Sequence, residues 1–203
     1  NCCLIVDTLH RAGIILGANV SKVRRRLDLE DAFACTGIRP DAFISRAWHT
    51  GEQLYKLDFD ADCEARFGGP FVNIHRADLH QLLQRPLAPG TIRFGHKLAG
   101  IEERGEALTL RFENGTSAEA DVAIGADGIR STVRQQALPD VAPLYAGYSA
   151  WRALLNEGDF PTRTHRALFG EMTFALPPGE QFLCYPVAGP DNDLRPGHPR
   201  HNV

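Results

Sequence analysis

Val122-Ala-Ile-Gly-Ala-Asp-Gly-Ile-Arg-Ser-Thr-Val-Arg134 reads as an apolar strand, a turn bracketed by Gly125 and Gly128, and the start of a helix. A strand that runs into a helix through glycines is an α/β signature. Glycines let backbone amides approach a ligand closely, and a helix beginning near Ser131 offers unpaired N–H groups to a phosphate or a ribityl chain. Asp127 can accept from ligand hydroxyls or order those amides. The same residues equally suit a plain turn with an aspartate cap, and this segment alone leaves the two readings level.

Upstream of this turn the pattern is period two. Ile92 and Phe94 suggest one strand and Leu98 to Glu103 another, while Leu108 to Phe112 and Ala118 to Ile124 flank Glu113-Asn-Gly-Thr116, where Asn-Gly is a strong hairpin signal. Together they make an antiparallel meander with one buried face. Further back, Phe71 to Ile74 is a short strand running straight into Arg76-Ala-Asp-Leu-His80, with Leu79, Leu82 and Leu83 forming a helix face that ends at Pro86. Asp41 to Trp48 and Gln53 to Phe59 form a strand pair about Thr50-Gly51. Asn19 and Ser21 suit the cap of a helix whose apolar stripe is Val20, Val23, Leu27 and Leu29, with Lys22, Arg24, Arg25 and Arg26 facing outward. Downstream, Tyr148 to Leu155, Ala167 to Ala175 and Phe182 to Val187 are strand-like, with little helical periodicity.

The 203 residues are 43% hydrophobic and 23% charged with a net charge of -3, which excludes disordered, collagen-like and disulfide-scaffold classes. Nineteen of the 22 basic residues are Arg, yet the slightly acidic balance argues against a nucleic-acid partner. No apolar run reaches the length of a membrane span, and no leader is legible, so a cytoplasmic protein is expected. Five cysteines without C-x-x-C spacing fit free thiols rather than a metal site. His75, His80 and His96 lack a metal-ligand spacing, and Glu102 and Glu103, adjacent on a strand, point to opposite faces rather than forming a carboxylate dyad. The last thirteen residues carry only Leu194 and Val203 as large apolar side chains, too few to offset their own ordering.

Four segments in order carry a family resemblance: Gly13-Ile-Ile-Leu-Gly-Ala-Asn-Val20, Arg76-Ala-Asp-Leu-His80, Gly125-Ala-Asp-Gly-Ile-Arg-Ser-Thr-Val-Arg134 and Gly147-Tyr-Ser-Ala-Trp-Arg-Ala153. The chain resembles the FAD-dependent aromatic hydroxylases, of the salicylate, 3-hydroxybenzoate and 6-hydroxynicotinate type. The resemblance implies an α/β fold: a Rossmann-like FAD-binding domain from 12–41 and 70–144, interleaved with a mixed β-sheet substrate domain from 42–69 and 145–190. The ends, 1–11 and 191–203, diverge. It implies FAD as cofactor, NAD(P)H as reductant, and hydroxylation of a phenolic aromatic acid by O2 through a flavin C4a-hydroperoxide. Carried over by position, Arg76 contacts the flavin, Leu98 offers its backbone to the adenine side, Asp127 and Gly128 hold FAD with Arg130 and Arg134 as helpers, and Ile15 lies near the isoalloxazine. A histidine acts as proton acceptor at the position of Ile15 in the 6-hydroxynicotinate enzymes, and isoleucine cannot take a proton. The catalytic base is therefore unassigned, with Tyr148, His49 and His165 as nominations.

The family's G-x-G-x-x-G turn, which belongs to its first βαβ unit, has no match here, and Asp7 is a minor candidate for the ribose acid. The later G-D segment is also missing. The chain therefore resembles a central piece of an enzyme about twice its length, whose FAD sheet lacks its centre strand and exposes core residues. The competing reading is a non-catalytic remnant with weak or no flavin binding. A flavin halogenase or prenyl-chain reductase shares the D-G turn but fits the other segments less well.

Overall fold

The computed structural model describes residues 13–203, so Asp7, Cys2 and Cys3 lie outside the described residues. Contacts group these residues into two compact units, a meander unit of Pro86–Ser149 and a sheet unit of 13–85 with Ala150–Val203. The mixed α/β character is as expected.

In the sheet unit, β1 (Gly13–Leu16) pairs antiparallel with β4 (Val72–His75), placing Gly13 opposite His75 and Ile15 opposite Asn73. Beyond β1 the expected single helix is two: α1 (Val20–Arg26) and α2 (Glu30–Ala34), separated by Asp28 at φ +52°. The break turns the stripe around. Val23 and Leu27 are 54% and 50% exposed, whereas Arg24, expected to face outward, is buried with its guanidinium over the Phe33 ring at 5.3 Å. Burial holds the Arg24 pKa below its ordinary value. Leu29 and Phe33 instead pack with Leu82 of α4 (Arg76–Gln84) and with Leu16.

The second sheet of this unit has six strands. In the order of neighbours they are β3 (Gln53–Asp58), β2 (Ala42–Arg46), β9 (Glu171–Ala175), β10 (Phe182–Val187), β11 (Arg200–Asn202) and β8 (Leu154–Asn156). Only β2 and β9 are parallel. Two helices flank it in sequence, α3 (Ala61–Phe67), capped by Asp60 at the Cys63 N–H, and α6 (Thr162–Leu168). Helix α6 lies mostly between two runs read as strand-like and takes only Ala167 and Leu168 from the second of them.

β11 corrects the reading of the tail. His201 and Asn202 are 0% and 5% exposed, and Asn202 pairs with Tyr185 on one side and Leu154 on the other. The tail needs no apolar core of its own, because two neighbouring strands supply its backbone partners and cover its side chains.

The meander unit contains β5 (Leu98–Arg104), β6 (Ala107–Phe112) and β7 (Ser117–Ala120) in sequence order, followed by α5 (Thr132–Ala137). The Asn-Gly hairpin forms between β6 and β7: Gly115 takes φ +82° and Asn114 Oδ1 accepts from the Thr116 N–H at 3.0 Å. The Gln136 carboxamide of α5 bonds the Ile101 N–H and carbonyl, covering the outer edge of β5. Ile92 and Phe94 join no strand, and neither does 122–124, where β7 has already ended. With no strand beside them among the described residues, Val122 and Ile124 are 75% and 88% exposed.

Candidate functional site

The glycine-bracketed turn is closed by its own aspartate. Asp127 accepts from the Ser131 hydroxyl at 2.5 Å and from the amides of Thr132 and Val133 at 2.7 and 3.2 Å, while Ser131 Oγ accepts from the Arg134 N–H at 2.9 Å. Partial desolvation pulls the Asp127 pKa up, but these hydrogen bonds outweigh it and hold the carboxyl below its usual range. The first amides of α5 are therefore satisfied internally, by Asp127 together with the N-cap residue Ser131. Gly125 is required here, since a Cβ would lie 2.8 Å from Val133 Cβ. Gly128, at φ +77°, has open space around it. Arg134 reaches back to the Ile129 carbonyl at 2.6 Å, fixing the far side of the turn. Leu98, at the start of β5, is buried opposite Phe112.

Arg76 opens α4 straight from β4. Its side chain is exposed and makes no hydrogen bond or ion pair with any described residue. Its flanks are less open. Burial, reinforced by the positive Arg200, lowers the pKa of His75, and burial raises that of Asp78. A free guanidinium fork beside groups biased toward their neutral forms can donate to a phosphate or a ring carbonyl without an internal competitor. Arg76 therefore fits an anionic, planar cofactor such as FAD.

Ile15 packs onto the Met172, Tyr185 and Val187 cluster of the large sheet. Its strand is held there by two devices. The Gly13 N–H donates to Asn202 Oδ1 at 2.9 Å, and a Cβ at Gly13 would meet the Tyr185 ring at 2.7 Å and Val187 at 2.8 Å. Asn202 and Tyr185 were not legible as parts of this arrangement, because the tail looked too polar to order and Tyr185 was one apolar residue in a strand. Ile15 and Arg76 belong to the sheet unit, Leu98, Asp127 and Gly128 to the meander unit.

The nominated bases are separated by the strand register. Tyr185, Asn202 and Leu154 are in register, and so are Pro186, His201 and Leu155, which therefore face the other way. His201 contacts Phe160 and Phe169, and His165 of α6 stacks on Phe169 at 4.5 Å. His165 thus lies on the opposite face of the sheet from Gly13 and Ile15, where its Nε2 pairs with Glu157 at 2.7 Å. His49 is exposed in the loop between β2 and β3, and Tyr148 is 75% exposed.

A cavity of about 380 Å³ lies in the sheet unit, lined by Arg39, Asp41, Asp58, Asp60, Glu64 and the stacked pair Phe59 and Phe71 among others. Its four carboxylates outnumber the Arg39 guanidinium and the Lys56 ammonium that pair with Glu64 and Asp58, which disfavours an anionic cofactor or an aromatic acid, so the cavity is not assigned to either. No helix among the described residues is long and apolar enough to cross a membrane.

Comparison with known proteins supplies the context. Residues 145–203 match a family described as FAD binding domain-like, a match that takes in the tail read as divergent. The 3-amino-4-hydroxybenzoate 2-monooxygenase of Streptomyces cremeus is 39% identical over 88% of this chain and 44% of its own length. The 6-hydroxynicotinate 3-monooxygenase of Pseudomonas fluorescens is 38% identical over 74% of this chain and 38% of its own. The chain thus spans less than half the length of these curated relatives. Among solved structures, Klebsiella pneumoniae HpxO complexed with FAD and uric acid superposes with a TM-score of 0.75 at 23% identity, over 95% of this chain and 46% of that one.

Proposed function

We propose that the chain is the central part of an FAD-dependent aromatic monooxygenase, a cytoplasmic enzyme hydroxylating a phenolic aromatic acid. The observation that carries the reading is the 39% identity, over most of the chain, to an enzyme acting on an amino-hydroxybenzoate. That relative and the 6-hydroxynicotinate enzyme are named for small rings bearing a hydroxyl and a carboxylate, which sets the proposed substrate class. FAD, reduced by NAD(P)H, supplies the oxygen-activating chemistry when bound, with O2 as co-substrate.

The residues divide the remaining work. Arg76 would hold the flavin, its fork donating to a phosphate or a ring carbonyl. Asp127, already fixed by three hydrogen bonds, presents a rigid turn, and the open space at Gly128 admits close approach of a ligand to the backbone. Leu98 would contribute its backbone to the adenine side. Ile15 bears no titratable group, so it shapes and dries the wall it occupies rather than moving a proton.

Titration with FAD, read by quenching of flavin fluorescence, tests the proposal. Binding is expected, Arg76→Ala should weaken it by about tenfold, as for loss of a charge-assisted hydrogen bond, and 3-amino-4-hydroxybenzoate or 6-hydroxynicotinate should stimulate NAD(P)H oxidation. No flavin binding and no stimulation would overturn it.

A further inference from the structure

The face of the six-stranded sheet that carries Tyr185 is apolar, with positive charge at its margins. Phe174 of β9 is in register with Leu183 of β10, and Tyr185, Asn202 and Leu154 form the next row. Phe174, Leu183 and Leu154 are half-buried against the Met172, Tyr185 and Val187 cluster. Side chains two apart along a strand share a face. Arg200, two positions before Asn202, therefore joins this face. So does Arg152, because mutual backbone hydrogen bonds of 2.9 Å between Ala153 and Val203 carry the β8–β11 ladder past Leu154. The strand carboxylates of this sheet, Glu171 and Asp58, are in register with Ala42 and lie on the opposite face, since the next residue, Phe43, is in register with Met172.

The two cations differ in what they already hold. Arg200 donates through Nε and Nη2 to the Ala188 carbonyl at 3.3 and 3.1 Å. Arg152 is exposed and makes no hydrogen bond or ion pair with any described residue. Its charge reaches Tyr185 all the same: burial raises the pKa of that hydroxyl, and Arg152 pulls it back. A guanidinium fork at the edge of a half-buried apolar floor, with no carboxylate on the same strand face to compete, suits a planar ring that bears one carboxylate. We propose that Arg152 is the specificity-determining residue for the acid group of the substrate, holding the carboxylate bidentately while Phe174, Leu183 and Leu154 receive the ring. The inference rests on the proposed function for the substrate class and adds the side chain that reads its charge.

Calorimetric titration of the full chain tests it with two ligands of one shape, 3-amino-4-hydroxybenzoate and its neutral amide, 3-amino-4-hydroxybenzamide, each run with and without saturating FAD. The acid is expected to bind about tenfold more tightly than the amide. Arg152→Gln should erase that preference by weakening the acid alone, and Arg152→Lys should keep part of it. Arg166→Gln, which removes a charge from the exposed surface of α6, should leave the preference whole. A fold defect would weaken both ligands, so the ratio of affinities separates the reading of charge from damage. Flavin fluorescence in the same samples reports on the proposed function separately: its failure to quench would sink that reading, while the acid-to-amide ratio of the chain alone still decides this one. Equal affinities in the wild type, no binding of the acid, or a preference that Arg152→Gln leaves unchanged would each overturn the inference.

Discussion

Acidification should unfold the sheet unit through one side chain, His201. Its ring is fully buried, both ring nitrogens lack a hydrogen-bond partner among the described residues, and Phe160 and Phe169 pack around it. Burial first, and then the nearby positive potential of His165, push its pKa down from 6.5 to about 4, against a smaller opposing pull from Glu157. Above pH 6.5 the ring is neutral in both folded and unfolded chains and contributes no pH dependence. Below it the unfolded chain takes up the proton and the folded one does not, so stability falls as pH drops from 6.5 toward 4. Integrated between pH 7.5 and 4.5, that linkage amounts to about 2–3 kcal/mol, a large fraction of a typical domain's stability. Urea unfolding followed by circular dichroism at half-unit pH steps measures it, with His201→Leu as the paired variant. Leucine fills the apolar cage and removes two unpaired nitrogens, so it should be neutral or stabilising at pH 7.5. The wild-type minus variant difference should grow by about 2–3 kcal/mol as the pH reaches 4.5. Parallel curves for the two proteins would refute the reasoning, because they would mean that His201 is protonated in the fold at no cost.

Two further perturbations follow from the same packing. Gly13→Ala forces a methyl against the Tyr185 ring and Val187, both buried, and should cost about 1–3 kcal/mol in thermal unfolding; an unchanged melting temperature would show that β1 is free to shift. Asp127→Ala should cost about 1 kcal/mol of local helix stability, read as faster amide exchange at Thr132 and Val133. Unchanged exchange there would mean that Ser131 alone caps α5.

Much of the architecture was legible because it is local. The β6–β7 hairpin follows from Asn114-Gly115, and the β4–α4 junction from an apolar run meeting a 3.6-residue leucine pattern. What failed depends on distant partners. Arg24 is buried because Asp28 breaks the helix and brings Phe33 beneath its guanidinium, and nothing in the periodicity of 20–29 signals that break. Val122 to Ile124 has a strand's composition but needs a neighbour, and composition does not report whether one is present. Of the candidate site, Arg76 and the Asp127 turn could be proposed from residue chemistry and order. The clamp on β1 could not, since Asn202 and Gly13 are 189 positions apart.

That clamp also sets a timetable. β1 is fixed by the Asn202 carboxamide, 189 positions downstream of Gly13, and β11 fills the gap between β8 and β10. During synthesis β1 and β4 can pair early, but they cannot be clamped beside Tyr185 until β11, far downstream of both, has been made. The nascent sheet unit therefore waits, with its six-stranded sheet split between β10 and β8, for β11 to lock β1.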